Sequence, residues 1–459
     1  MFSEADGRRE TFSALSGGRK CLTRSAAYLK YPSAPSRETG VPAANGSPHP
    51  SAPAATRDFF ARVEALAERM AERAYEIDRA GAFPEKEFAW IEEADLLAAP
   101  LSSRHGGRGL GAERKNTSAL LTLLRHLGRG NLSVARLYEG HANALTLIYR
   151  FGTPAQKERF AADARAGKRF AVWNTEGSDG VRLASAGEGR YRLSGAKTFA
   201  SGAGHLERPL ITARFADHHP RSGEPQMLVV PADEVETTVD ESWWTPVGMR
   251  ASASYKIDFG GVEVGGEHLI GAPGDYHREP YFSGGAIRFA AAQFGGAEAL
   301  PALVRRHLQE AGRTGDVHQR RRAGEAALAG ESARLILEHA AALFDQYGES
   351  KKHAGAERGE RSHAAERVVA YAHLARTAVE QTCTGVLQRA ERSIGARGMM
   401  QPHALERIAR DLRVYLRQPA PDAALDALGR HVLEAPGAPL HRLWTDDALP
   451  PTDDADDPC

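Results

Sequence analysis

The residues best suited to chemistry lie between Trp173 and Gly202, which reads WNTEGSDG, then a polar hairpin, then YRLSGAKTFASG. A Thr-Glu-x-Ser-Asp turn is followed further on by Phe199-Ala200-Ser201. An aromatic offers a face for a planar ring, while a hydroxyl and strand-end N–H groups can hydrogen-bond the ring's edge. Tyr191, Leu193 and Phe199 with β-rich neighbours predict strands, punctuated by turns at Gly195 and Gly202. Taken alone, the pattern favours an ordinary surface β-hairpin over a cofactor cradle.

The elements that must position these residues follow from the rest of the chain. At 459 residues there is room for two or three domains and a sizeable core. Lys plus Arg and Asp plus Glu both number 59, so no basic footprint for nucleic acid is expected. Cys21, Cys383 and Cys459 are too far apart for a disulfide framework or a thiolate metal site, which suits a reducing cytoplasm. No run of eighteen apolar residues predicts a membrane span, and the first residues lack the apolar core of a secretory signal.

Residues 1–56, rich in Ser, Pro, Gly and Ala, predict a disordered tail. From Arg57 apolar residues recur at helical spacing (Phe59, Phe60, Val63, Leu66, Met70), and further helices are expected from Pro84, over Thr117 to Leu127 and over Leu132 to Tyr149. HGGRGLG at 105–111 has glycines too bunched for a dinucleotide fingerprint, with no strand before them. FAVWN, YRLSG, PLITARF, MLVVP, ASYKIDF and GVEV predict short strands, and long Ala- and Leu-rich helices follow to about 433. The expected class is α+β, mainly α. A helical domain (57–169) precedes a small β-barrel or sandwich domain (170–276), a C-terminal four-helix bundle (277–433) and an acidic tail (434–459). A ligand site is expected where the three domains meet.

That order, with HGGRGLG, FGTPAQKERF, WWTPVGMRASAS and RSIGARGM followed by ERIARDLRVY, resembles the acyl-CoA dehydrogenase superfamily of flavoproteins from about residue 57 to 433. The resemblance implies a flavin, FAD with FMN as the alternative. Trp173, Asn174 and Thr175 match the strand facing the flavin's pyrimidine edge, and Ser178 the serine beside its phosphates. Phe199 stands where the family stacks a Trp on the isoalloxazine, and Ser201 where a hydroxyl meets N5. The family holds the adenosine half of FAD across a subunit interface. Gln319 keeps its place for that role, Leu308 replaces an Arg, and Arg392 with Gly395 and Gly398 can face a pyrophosphate.

The chain also departs from the family. Its dehydrogenases remove a substrate proton with a glutamate at one of two positions, occupied here by Ile287 and Pro419. Tyr138-Glu139-Gly140 repeats the letters of the motif elsewhere, where it reads as solvated helix. Asp422 and Glu298, the remaining candidates for a base, read as structural. Ser201 instead resembles the reduced-flavin monooxygenase branch of the dibenzothiophene-monooxygenase type, in which histidines approach the substrate. His141 matches one of these, and Gln418-Pro419-Ala420 replaces the other's His-Asp-Pro.

Ser201 and His141 are thus the catalytic candidates, and no metal is expected. Three functions follow: hydride transfer from an acyl-CoA-like or other small substrate to flavin, reduced-flavin monooxygenation, or flavin binding without catalysis. The resemblance further implies an electron-transfer or flavin-reductase partner and a homo-oligomer, dimer or tetramer.

Overall fold

Apolar spacing becomes buried helix faces through the first part of the chain. The computed structural model describes residues 54–113, 115–216, 223–349, 363–434 and 439–445; most of the two expected tails lies outside them. Helix α1 (Ala54–Ala80) buries Phe59, Phe60, Val63, Leu66, Met70 and Ile77 along one stripe. It begins slightly ahead of the expected Arg57. Helix α2 (Glu85–Glu93) carries Glu85 and Glu87 in its first turn, where carboxylates suit the helix dipole.

Between α3 (Thr117–Gly130) and α4 (Leu132–Phe151) stands Asn131, whose side chain accepts from the amides of Ser133 and Val134 and so starts the second helix. Helix α5 (Pro154–Arg165) opens on a Thr153/Gln156 capping box. The Gln156 Nε2 also donates to the carbonyls of Glu267 and Leu269, at 2.9 and 2.8 Å, so FGTPAQ is a joint between helix and sheet.

Ten short strands follow: β1 (Phe170–Trp173), β2 (Arg182–Gly187), β3 (Arg190–Ser194), β4 (Ala196–Ser201), β5 (Arg208–Phe215), β6 (Pro225–Val229), β7 (Thr238–Asp240), β8 (Ser254–Asp258), β9 (Glu263–Gly265) and β10 (Leu269–Ile270). Seven form one sheet, in the order β10-β6-β5-β2-β3-β9, with β1 also paired to β5. The other three form a second sheet, β4-β8-β7. The stretch expected to make one cradle is therefore divided. The β2–β3 hairpin belongs to the large sheet, while Phe199 and Ser201 sit on β4 in the small one. The switch is made at Gly195, with φ +91, where a Cβ would lie 2.5 Å from the Asp179 carbonyl oxygen.

The chain closes with α6 (Gly284–Glu310), α7 (Val317–Glu349), α8 (His363–Ile394), α9 (Ala404–Tyr415) and α10 (Pro421–Glu434). Helix α6 packs on α3 and α8, and α7 packs on α8, so one apolar core runs from the first helices into the last. The architecture is mainly helical with a small β region between two helical parts, as the sequence pattern predicts. One end differs: Leu443 is buried and Trp444 packs edge-on against Tyr371, so the chain returns to the bundle before the acidic residues begin.

Helices α3 and α6 meet backbone to backbone. A Cβ on Gly128 would lie 2.1 Å from the Ala292 carbonyl oxygen, and one on Gly295 would lie 2.0 Å from that of Arg125. No rotamer relieves such a clash, so the helices would have to separate. We expect Gly295→Ala to cost about 1–3 kcal/mol, as overpacking does, and to lower the thermal midpoint. Gly324→Ala, whose Cβ would meet nothing within 4 Å, should leave the midpoint level or raise it.

Candidate active site

The two sheets, α4, α6, α8 and α9 enclose a cavity of about 680 Å³. Its strand wall carries Asn174, Thr175, Phe199, Ser201, Ser252 and Ser254.

On that wall β4 bulges between Lys197 and Ala200, where its register against β8 shifts. Phe199 takes a left-handed φ of +51 and is 52% exposed, its ring edge-on to Trp243 and Trp244. A bulky residue in that region costs of order 1–3 kcal/mol and persists only where its surroundings hold it. Beside it the hydroxyls of Ser201, Ser254 and Ser252 form a chain, at 2.8 and 2.7 Å. The Ser201 carbonyl accepts from the Trp173 indole at 2.9 Å.

The end of β1 is equally fixed. Thr212 Oγ1 donates to Asn174 Oδ1 at 2.6 Å, and the buried Lys197 ammonium donates to the Asn174 carbonyl, to Glu176 and to Thr212. Desolvation draws the Lys197 pKa down, with the Glu176 carboxylate opposing it. The Thr198 amide bonds the Thr175 carbonyl at 3.0 Å and joins the two sheets at the cavity.

The helical wall is charged. Arg136, Glu139 and Asn143 of α4 face the cavity with Arg288 of α6 and Tyr415 of α9. Glu139 is 2% exposed, which corrects its reading as part of a solvated helix: α4 is buried on nearly every side, so this face has only the cavity to look into. Its Oε2 accepts from Arg136 and its Oε1 from Asn143, whose own Oδ1 accepts from Arg288 Nε. His373 and Arg376 of α8 also line the cavity, and burial lowers the pKa of both. Sequence reasoning missed Arg136, Asn143, Arg288 and His373. The available signal was an Arg, Glu, Asn sequence at spacings of three and four within an otherwise apolar helix.

The expected site residues separate into groups. Asn174, Thr175, Phe199 and Ser201 come together on one wall, while the Trp173 ring lies behind it in the core. Ser178 is exposed and borders none of the cavity. Arg392 borders a separate pocket of about 290 Å³ with Arg321 and Arg389. Gln319 is buried, its Oε1 without a hydrogen-bond partner among the described residues. Gly395 has φ +76, and Gly398 packs on Ile394 and Leu405. Pro419 lines the cavity, and its carbonyl accepts from Arg376; Ile287 is buried, with its neighbours Ala286 and Arg288 on the wall instead. Glu298 is engaged by Arg125 at 2.6 Å.

His141 takes no part in the cavity wall. Its Nε2 lies 2.8 Å from the Leu97 carbonyl and its Nδ1 accepts from the Phe170 amide at 3.1 Å, so both ring nitrogens serve backbone. It fastens α4 to the segment after α2 and to β1.

Residues 54–168 match the family model described as "Acyl-CoA dehydrogenase, N-terminal domain". Over 388 residues the chain is 24% identical to "Putative acyl-CoA dehydrogenase YdbM" of Bacillus subtilis, covering 80% of this chain and 94% of that protein. It is 26% identical over 226 residues to a dibenzothiophene monooxygenase of Rhodococcus erythropolis, 48% of this chain and 53% of the relative. The chain thus spans about half the length of the dibenzothiophene monooxygenases it matches. The crystal structure of TdsC from Paenibacillus sp. A11-2 with FMN and indole superposes with a TM-score of 0.74 at 20% identity, covering 82% of this chain and 97% of that one. Residues 54–168 thus resemble an acyl-CoA dehydrogenase N-terminal domain, and the chain shares the fold of TdsC.

Within that fold, His141 is a structural joint with a measurable signature. Burial pulls its pKa from 6.5 down to about 4, with the Leu97 carbonyl opposing the shift. Between those values the unfolded chain binds a proton that the folded chain does not, so stability falls as pH falls from 6.5 towards 4. The full loss is about 3 kcal/mol. Thermal midpoints measured across this window should fall more steeply for the wild type than for His141→Gln. Parallel slopes would refute the assignment.

Proposed function

We propose that the chain is a flavin-dependent oxidoreductase of the monooxygenase type, which receives reduced flavin and oxygenates a small organic substrate in the 680 Å³ cavity. The observation that carries this reading is the strand wall: the raised Phe199 ring beside a chain of three hydroxyls and the fixed edge at Asn174 and Thr175. These groups fit a planar ring system that carries acceptors on its edge, which is what an isoalloxazine presents. A bound flavin would supply the two-electron and oxygen-activating chemistry that side chains lack.

The protein's part is to bind, orient and exclude water. Phe199 presents its ring, Ser201 offers a hydroxyl bonded to that of Ser254, and the Thr175 and Asn174 region meets the ring's polar rim. FMN fits what one chain offers here, because Gln319 and Arg392 lie away from this cavity. FAD would need groups from a second copy. The relatives named as dibenzothiophene monooxygenases, and the FMN-bound TdsC structure, support the reading.

Hydride transfer from an acyl thioester requires a carboxylate free to take the substrate's proton. Glu139 is the one carboxylate among the described lining residues, and both its oxygens are taken by Arg136 and Asn143. This disfavours the dehydrogenase reading. We also infer a reductase partner, a cytoplasmic setting and a homo-oligomer, the last supported by the exposed Val317, Leu328 and Leu335 on α7.

Two experiments test the proposal. Purified protein should bind FMN at micromolar levels or tighter and, supplied with reduced FMN, should couple oxygen uptake to oxygenation of an electron-rich aromatic such as indole. Anaerobic reduction of bound flavin by acyl-CoA alone would establish the dehydrogenase reading instead, and absence of flavin binding would sink both. Ser201→Ala should slow turnover about tenfold, the value of one hydrogen bond to a charged group. Its thermal midpoint should be unchanged, because Ser254 keeps its bond to Ser252.

A further inference from the structure

The helical wall holds more positive charge than its protein partners neutralise. Among the described residues lining the cavity there are four arginines, Arg136, Arg288, Arg376 and Arg417, and a single carboxylate, Glu139. Three of the four are accounted for. Arg136 is paired with Glu139; Arg417 is paired with Glu380 outside the cavity at 2.6 Å; Arg376 donates to the Pro419 carbonyl and lies over the Phe289 ring.

Arg288 is the exception. Its Nε donates to Asn143, and among the described residues neither of its η nitrogens has an acceptor and no carboxylate lies within ion-pair distance. The carboxylate whose field it feels, Glu139, already serves Arg136 and Asn143. Burial lowers the Arg288 pKa to about 10, which leaves it charged at neutral pH. A second group points the same way. The Tyr415 hydroxyl, buried on this wall and close enough to sense both Arg136 and Glu139, has no hydrogen-bond partner among the described residues.

A guanidinium with two free parallel N–H groups is the geometry that planar oxoanions bind in bidentate fashion. The Asn143 bridge fixes the plane of that guanidinium by holding its Nε, so the open edge is oriented before a ligand arrives.

We propose that this wall is a substrate-anchoring site for an organic oxoanion, a carboxylate or sulfonate, seated on the η nitrogens of Arg288 with the Tyr415 hydroxyl as a further donor. The anion replaces the missing counter-charge, and the substrate's uncharged part extends across the cavity towards Phe199 and Ser201. Arg288 and Tyr415 are on this account specificity determinants, and the preferred substrates are aromatic or aliphatic acids. The identity of the site as a substrate pocket rests on the proposed flavin-dependent activity, but the anion preference does not require turnover.

The test is binding by the full chain, with and without FMN, of benzoate, benzenesulfonate and 2-naphthoate, each beside its neutral amide, measured by calorimetry. At least one acid should bind about tenfold or more tightly than its amide, the worth of a charge-assisted pair. Arg288→Gln should level the pair, and Arg288→Lys should restore part of the preference. Tyr415→Phe, which keeps the ring, should weaken the acid several-fold and leave the amide unchanged. Equal affinity for acid and amide throughout, no binding of any acid, or a preference that survives Arg288→Gln would overturn the proposal.

A second arm separates the substrate from the flavin's own phosphate. Arg288→Gln should leave the ratio of FMN to riboflavin affinity unaltered. Loss of that ratio would assign the guanidinium to the cofactor and overturn the substrate assignment. Should FMN fail to bind while the acid preference holds, the flavin reading fails and the oxoanion site stands.

Discussion

The cavity exists because an Arg-Asp pair on α9 ties three parts of the chain together. Arg410 forks onto the buried Asp78 of α1 at 2.6 and 3.1 Å, bonds Glu406 one turn back, and donates to the Val247 carbonyl at 3.0 Å. Asp411, wholly buried, accepts the Met249 amide at 2.6 Å. Burial raises the Asp411 pKa, while the Arg407 guanidinium and the Met249 amide oppose it. The close fit is enforced by Gly248, where a Cβ would lie 2.3 Å from the Arg410 carbonyl. A buried charge left without its partner is expensive, so the arrangement tolerates little slack. From this clamp the loop to Ser252 and Ser254 leaves in one direction and Tyr415 in the other, and both walls of the cavity are thereby set relative to α1.

The two walls do different physical work. The strand wall is made of neutral groups held rigidly: a hydroxyl chain, an amide locked by Thr212, and one aromatic ring in a costly conformation. The helical wall is made of ions whose mutual pairing is incomplete. Neutral, preorganised donors suit a large planar ring, whereas an uncompensated guanidinium suits a ligand that brings its own charge. One cavity can therefore sort two ligands by chemistry as well as by shape.

Much of this was legible in the chain. Apolar spacing gave the helices, and short β-rich runs gave the strands. The residues from Asn174 to Ser201 that could meet a ring do lie on a common wall, although β3 and β4 belong to different sheets. That division depends on a single left-handed glycine and a bulge, neither of which alters the strand pattern in the letters. Glu139 was visible but read as solvated, because a polar residue in a helix looks alike whether it faces water or a cavity. His141 misled for the opposite reason. Its partners are backbone groups of Leu97 and Phe170, and side-chain identity carries no record of backbone contacts.

The glycine contact between α3 and α6 has a consequence for how this pocket could change. Helix α6 is held at Ala292 and Gly295 by a neighbour's main chain, and beside that contact Arg125 of α3 pairs with Glu298 and lies over the Phe294 ring. Its first two turns, which bury Ile287 and Ala290 on one side, carry Ala286, Arg288 and Phe289 to the cavity ahead of that fulcrum. Side chains there can be exchanged without disturbing the anchor. The fold thus separates the residues that select a ligand from those that keep the molecule standing.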